Sequence, residues 1–216
     1  GAAIKCGFLP KPTKGYPHPK ELLADLVDND VKEILLSGDF PRDFSTKCYP
    51  NAASTKIQKQ LRSAPGSKQA DRKGAVLTEQ EYSKHKAGVV AKFTAMLENG
   101  GFIPEEFKTK KFAQRLLRSE WPPEGPNIPA PSLPDDYVHF SQPRTLTVRE
   151  WARLQMFPDW YQFAGKRTTG GTRRAGNPLE GNFDREVPKY TQIGNAVPVK
   201  LALEIGRHFA DEILQK

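Results

Sequence analysis

The sequence predicts a mixed α+β fold: a loop-rich domain of short strands and helices over residues 1–140, then a largely helical segment over 141–216. Three observations point there. Apolar residues recur at helical spacing, with start or stop signals, in several separate stretches. Two basic runs between them carry no clear periodicity. A proline-dense stretch excludes both helix and central strand. A chain of 216 residues buries a core without disulfides.

HPKELLADLVDND comes first, and its Leu22, Leu23, Leu26 and Val27 fall on one side of a short amphipathic helix. Lys47 to Lys73 follows with seven Lys or Arg against the single acid Asp71. Such a run is usually a solvated loop, and facing phosphates is the other reading. Thr78 with Glu81 has the T-x-x-E form of a capping box. From it a helix is expected to carry Tyr82, Val89, Val90, Phe93, Met96 and Leu97 as far as Gly100 and Gly101. A second basic run, Lys108, Lys110, Lys111, Arg115 and Arg118, leads into WPPEGPNIPAPSLPDD. That segment reads as a stiff extended connector, and Trp121, Ile128, Leu133 and Tyr137 give it apolar anchors against a surface.

RTLTVREWARLQMFPDWYQF reads as a helix capped by Thr147 with Glu150 at N3 and ended by Pro158. Arg144, Arg149 and Arg153 crowd this short element, and each needs a carboxylate, phosphate or carbonyl partner if it is buried. GKRTTGGTRRAGN then sets Lys166, Arg167, Arg173 and Arg174 around glycines with no acid, a composition suited to a phosphate-contacting loop or to a surface loop. YTQIGNAVP reads as a rigid turn, and after it Leu201, Ile205, Phe209 and Ile213 repeat every four residues on a final helix.

A formal charge of +8 and a pI near 9.4 make a polyanion a plausible partner and do not choose among DNA, RNA and membrane headgroups. No apolar run approaches the roughly 20 residues of a membrane span, and GAAIKCGFLP has no signal-peptide core, so a soluble intracellular protein is expected. Two cysteines, Cys6 and Cys48, and four scattered histidines argue against a structural metal. A start without methionine points to an engineered or processed beginning.

Arg144 to Asp159, RTLTVREWARLQMFPD, followed by Gln192 to Pro198, QIGNAVP, resembles the last two sequence blocks of DNA (cytosine-5) methyltransferases, in that order and at a plausible separation. The resemblance is close over residues 135–216; upstream of it the chain is similar to the family's more variable connection and target-recognition region. It implies that the target cytosine is flipped from the duplex, attacked at C6 by a cysteine thiolate and methylated at C5 from S-adenosylmethionine. It also implies that Asn195, Ala196 and Val197 help to close the cofactor pocket, and that the final helix packs on a Rossmann-like cofactor-binding domain.

The family's nucleophile follows a proline, and neither IKCGF nor TKCYP offers that; the Glu-Asn-Val block, the glycine-rich cofactor turn and the Gln-x-Arg-x-Arg block are missing too. No catalytic residue is therefore assigned to this chain. The expected partners are double-stranded DNA and a catalytic half, as for the second subunit of a split bacterial enzyme in a cytoplasmic restriction-modification system. A fragment cut from a single-chain enzyme has the same contents. Lys56, Lys59, Arg62, Lys166, Arg167, Arg173 and Arg174 are the expected DNA-binding residues, with Gln58 and Gln60 joining Lys56, Lys59 and Arg62 as candidate base readers. Trp151 stands where a small residue is common, which questions how tightly its helix packs, and Thr168 to Glu186 is a longer connection than short members need. A non-enzymatic, sequence-specific DNA-binding module and an interaction domain with incidental basicity are the other readings.

Overall fold

The computed structural model describes residues 15–64, 74–108, 114–122, 136–168, 181 and 187–211. Helix α1 (Pro19–Leu23) begins with proline at its first position, where the missing N–H costs nothing. A 3-10 turn, Ala24–Leu26, continues it, and Leu22, Leu23 and Leu26 are all buried, as the spacing predicts. Helix α2 (Asn29–Ser37) was not expected. Asp28 caps it by accepting from the Asp30 N–H at 3.2 Å, and Gly38 ends it in the left-handed region.

The basic stretch read as a loop contains helix α3 (Lys56–Arg62), with a reciprocal Thr55–Gln58 capping box and Leu61 buried. The capping box expected at Thr78 is absent. Glu79 is left-handed at φ 64°, Glu81 pairs antiparallel with Ser45, and the Thr78 hydroxyl accepts from Arg149 at 3.0 Å. Residues 44–49 and 74–82 instead run antiparallel, joined by Thr46 N–H to Gln80 O at 3.0 Å, Leu77 N–H to Lys47 O at 2.8 Å and Tyr82 N–H to Phe44 O at 2.9 Å. Helix α4 (Ala87–Glu98) starts only after this ladder, and Val90, Phe93 and Met96 make its buried stripe. Gly100 at φ 61° and the Gly101 N–H on Met96 O at 2.7 Å close it as the sequence predicts.

Strands β1 (Arg115–Leu116) and β2 (Tyr137–Val138) form a short parallel pair, with Val138 also bridged to Thr145. Helix α5 (Val148–Leu154) has every residue buried. Helices α6 (Lys189–Asn195) and α7 (Val199–Phe209) follow. The main hydrophobic cluster joins Leu22, Leu26, Tyr49, Leu61 and Leu77 to Trp151, Leu154, Tyr190 and Ile193, so α5 and α6 pack inward on the elements before residue 140. Mixed helices and few strands agree with an α+β class. Among the described residues no helix is long and apolar enough to cross a membrane, and no cluster of His, Cys, Asp and Glu has metal-binding geometry.

Candidate functional site

Helix α5 is the post on which the C-terminal elements are mounted. Its start follows the predicted pattern: the Glu150 N–H donates to Thr147 Oγ1 at 3.1 Å, and the Thr147 N–H donates to Glu150 Oε2 at 2.9 Å. Its end differs from the reading that ran it to Pro158. The helix stops at Leu154 because Met156 turns left-handed at φ 63°, with Met156 N–H on Arg153 O and Phe157 N–H on Ala152 O, both 2.9 Å. This is the αL closure usually given to glycine, here on a residue for which it costs about 1–2 kcal/mol.

The three arginines find their partners within the chain. Arg153, fully buried, forks onto Asp159 at 3.0 and 2.6 Å and reaches Asp25 at 2.6 Å and Leu22 O at 2.6 Å. Arg62 joins the same Asp25 at 2.8 and 2.5 Å, donates to Asn51 O and lies 3.6 Å over the Tyr49 ring, while the Tyr49 hydroxyl donates to Asp159 at 2.6 Å. Arg144 forks onto Glu150 at 2.8 and 2.7 Å, and the Gln80 amide donates to the same carboxylate at 3.1 Å. Arg149 spreads over Thr78, Pro158 O and Tyr161 O.

Burial opposes the charge on Glu150, but the guanidinium of Arg144 outweighs it and holds the carboxyl at about 2. Asp159 is likewise held below the usual carboxylate range, burial being overcome by Arg153. His139, buried 3.7 Å from Glu150, is pushed down to about 3 by burial and by Arg144, so it is neutral near pH 7. Burial, Arg144 and Arg167 push His85 down to about 4.

This cluster corrects one predicted DNA contact. Arg62 is buried on Asp25, so its guanidinium does not face a phosphate, and Gln58, buried in its capping box and on Glu21 O, does not read bases. Lys56, Lys59 and Gln60 stand exposed on the outer side of α3. Lys166 is exposed; Arg167 is partly covered, donating to Glu81 O at 3.2 Å and lying 3.6 Å from the Glu81 carboxylate. Arg173 and Arg174 lie outside the described residues.

The segment read as a rigid turn is mostly helix: Lys189–Asn195 forms α6, and only Ala196–Pro198 turns before α7. Tyr190 fixes α6 by donating to Leu146 O at 2.9 Å, and Lys189 pairs with Glu79 at 2.6 Å. The Val199 N–H donates to Gln155 O at 3.0 Å, which ties the start of α7 to the end of α5. Beyond that anchor no α7 side chain is buried, and Val197, Leu201 and Leu203 are 60%, 49% and 47% exposed. Asn195 is exposed and Ala196 half-buried. Asn195, Ala196 and Val197 thus offer one amide and one apolar edge at the junction of α6 and α7.

The family model for C-5 cytosine-specific DNA methylases matches residues 10–210, nearly the whole chain. The chain belongs to that family. Its match begins far upstream of residue 135, so the methylase relationship takes in α1 to α4 as well as the two C-terminal blocks. Type II methyltransferase M.DdeI of Desulfomicrobium norvegicum is 38% identical over 93 residues, 43% of this chain and 20% of that protein. Type II methyltransferase M.Eco47II of Escherichia coli is 31% identical over 157 residues, 62% of this chain and 31% of that protein. The chain therefore spans a third or less of the length of those two relatives. Type II methyltransferase M.AquIB of a Picosynechococcus species is 28% identical over 148 residues, and that alignment takes in 67% of this chain and 95% of the relative. S-adenosylmethionine is the methyl donor of the family, and DNA is its substrate.

Asp25, Asp159, Glu79 and Gln80 are not marked as site residues by the sequence alone. Each matters through a partner between 6 and 128 residues away, and only Asp159, six residues from Arg153, lay within a pattern the sequence displays.

Proposed function

We propose that this chain is the target-recognition and cofactor-pocket-closing part of a DNA cytosine-5 methyltransferase. In this reading it works with a catalytic half, carried on another chain or on a further stretch of the same polypeptide, to methylate C5 of cytosine at a specific duplex site in a bacterial restriction-modification system. The observation that carries the proposal is the contrast within the C-terminal segment. Helices α5 and α6 are spent on this chain's own core, whereas among the described residues α7, amphipathic in sequence, buries no side chain and leaves Leu201 and Leu203 about half exposed. The division near residue 140, the closing role of Asn195, Ala196 and Val197, and S-adenosylmethionine bound mainly by the other half belong to the same proposal.

Two further facts support it. Neither cysteine follows a proline, so the attacking thiolate must come from elsewhere. M.AquIB, matched over almost its full length, is itself a short chain. DNA then faces Lys56, Lys59, Lys166, Arg167, Arg173 and Arg174. The test is the pair Arg173→Ala and Arg174→Ala in the complex with the catalytic half. Methyl transfer to duplex DNA is expected to fall at least about tenfold, two phosphate contacts being lost, while S-adenosylmethionine binding holds. Unchanged DNA affinity removes these arginines from the interface.

A further inference from the structure

Among the described residues only two that are not glycine take a left-handed backbone, Glu79 at φ 64° and Met156 at φ 63°. They lie at opposite ends of α5, and each sits where the C-terminal helices are fastened. The Glu79 carbonyl accepts the Arg149 N–H at 3.0 Å, and its carboxylate takes Lys189 Nζ at 2.6 Å, at the first position of α6. Beside Met156, the Gln155 carbonyl accepts the Val199 N–H at 3.0 Å, at the first position of α7. The Asn195–Val197 turn lies between these two fastenings. Backbone strain of this kind persists only where the surroundings over-determine it, and it concentrates where geometry matters more than stability.

The Glu79–Lys189 pair is partly buried, with side chains 13% and 18% exposed, and joins residues 110 positions apart. Such a pair adds little stability and much directional constraint. We infer that Glu79 is a positioning residue for the cofactor-closing turn: one backbone step in the recognition region fixes the start of α5 through its carbonyl and the start of α6 through its carboxylate, so the recognition region sets where Asn195–Val197 stand. The inference rests on the function proposed above and names a residue outside the C-terminal blocks that govern the cofactor wall.

Two variants test it. Glu79→Gln keeps the backbone and deletes the charge; Glu79→Gly deletes the carboxylate and relaxes the backbone, so its fold is spared. In the chain alone, amide exchange over 189–198 is expected to rise about fivefold in both variants while α4 exchanges as before, the worth of one partly buried ion pair. In the complex with the catalytic half, the KM for S-adenosylmethionine should rise about fivefold with the KM for DNA unmoved. The charge swap Glu79→Lys with Lys189→Glu should restore both. Exchange that is unchanged over 189–198, or raised equally in α4, overturns the inference. A wild-type complex that transfers no methyl group sinks the proposed function, whereas an active complex indifferent to Glu79→Gln sinks this inference alone.

Discussion

At the scale of single residues, the fold depends on charges taken out of water in matched sets. Asp25 serves Arg62 and Arg153, Asp159 serves Arg153 and Tyr49, and Glu150 serves Arg144 and Gln80. Removing one member leaves a buried charge uncompensated, which costs about 3–5 kcal/mol. The neutral histidines make stability depend on pH. His139 and His85 sit at about 3 and about 4 in the folded chain against 6.5 when unfolded. The unfolded chain therefore binds more protons below 6.5, and stability falls as pH drops from 6.5 towards 4. Glu150, lowered from 4.5 to about 2, stabilises fully above 4.5 and loses that contribution only as pH falls towards 2. Urea midpoints should decline between pH 6.5 and 4.5, and replacing both histidines by glutamine should flatten that slope whatever it does to the midpoint at pH 7. A slope that survives the double replacement contradicts this assignment.

At the scale of elements, local signals were readable where the element closes on itself. Thr147 and Glu150 cap α5 through neighbours three residues apart, Gly100 and Gly101 end α4, and the leucines of α1 turn inward as spaced. The Thr78–Glu81 cap failed because distant groups claimed its atoms: Arg149 took the Thr78 hydroxyl and Ser45 paired with Glu81. Arg62 and Gln58 looked like surface residues of a basic run for the same reason, since Asp25 and the Glu21 carbonyl that hold them lie 37 residues off. Trp151, which the sequence made suspect, is fully buried with its ring 5.8 Å from that of Tyr137; a space shaped by remote residues is invisible in a local pattern. Helix α7 has the opposite character: its apolar residues are readable, yet among the described residues none of them is buried and Leu201 and Leu203 stand about half exposed. Leu201→Glu should change the stability of the chain alone by less than about 0.5 kcal/mol, because the site is exposed. The same change should weaken assembly with the catalytic half at least about tenfold, a charge then being buried in an apolar contact. Calorimetry on the chain and titration of the complex measure the two, and loss of stability in the chain alone contradicts an uncovered helix.

At the scale of the molecule, the positive charge is sorted. Arg62, Arg144 and Arg153 are neutralised in the interior, while Lys56, Lys59 and Lys166 stand exposed at the surface. One hydrophobic cluster runs from α1 through α5 to α6, so the elements before residue 140 and the first C-terminal helices share a core, and α7 leaves from a hydrogen bond at the end of α5. Under the proposed function, a core shared in this way would couple the placement of the DNA-facing part to that of the cofactor-closing turn. The direct measurement is tritiated methyl transfer from S-adenosylmethionine to duplex DNA by this chain, by a methylase half carrying the Pro-Cys nucleophile, and by the two together. Transfer only in the mixture, with each part inert alone, is the expected result. Transfer by this chain alone, or a mixture that neither associates nor methylates, would contradict a chain built to complete another's active site.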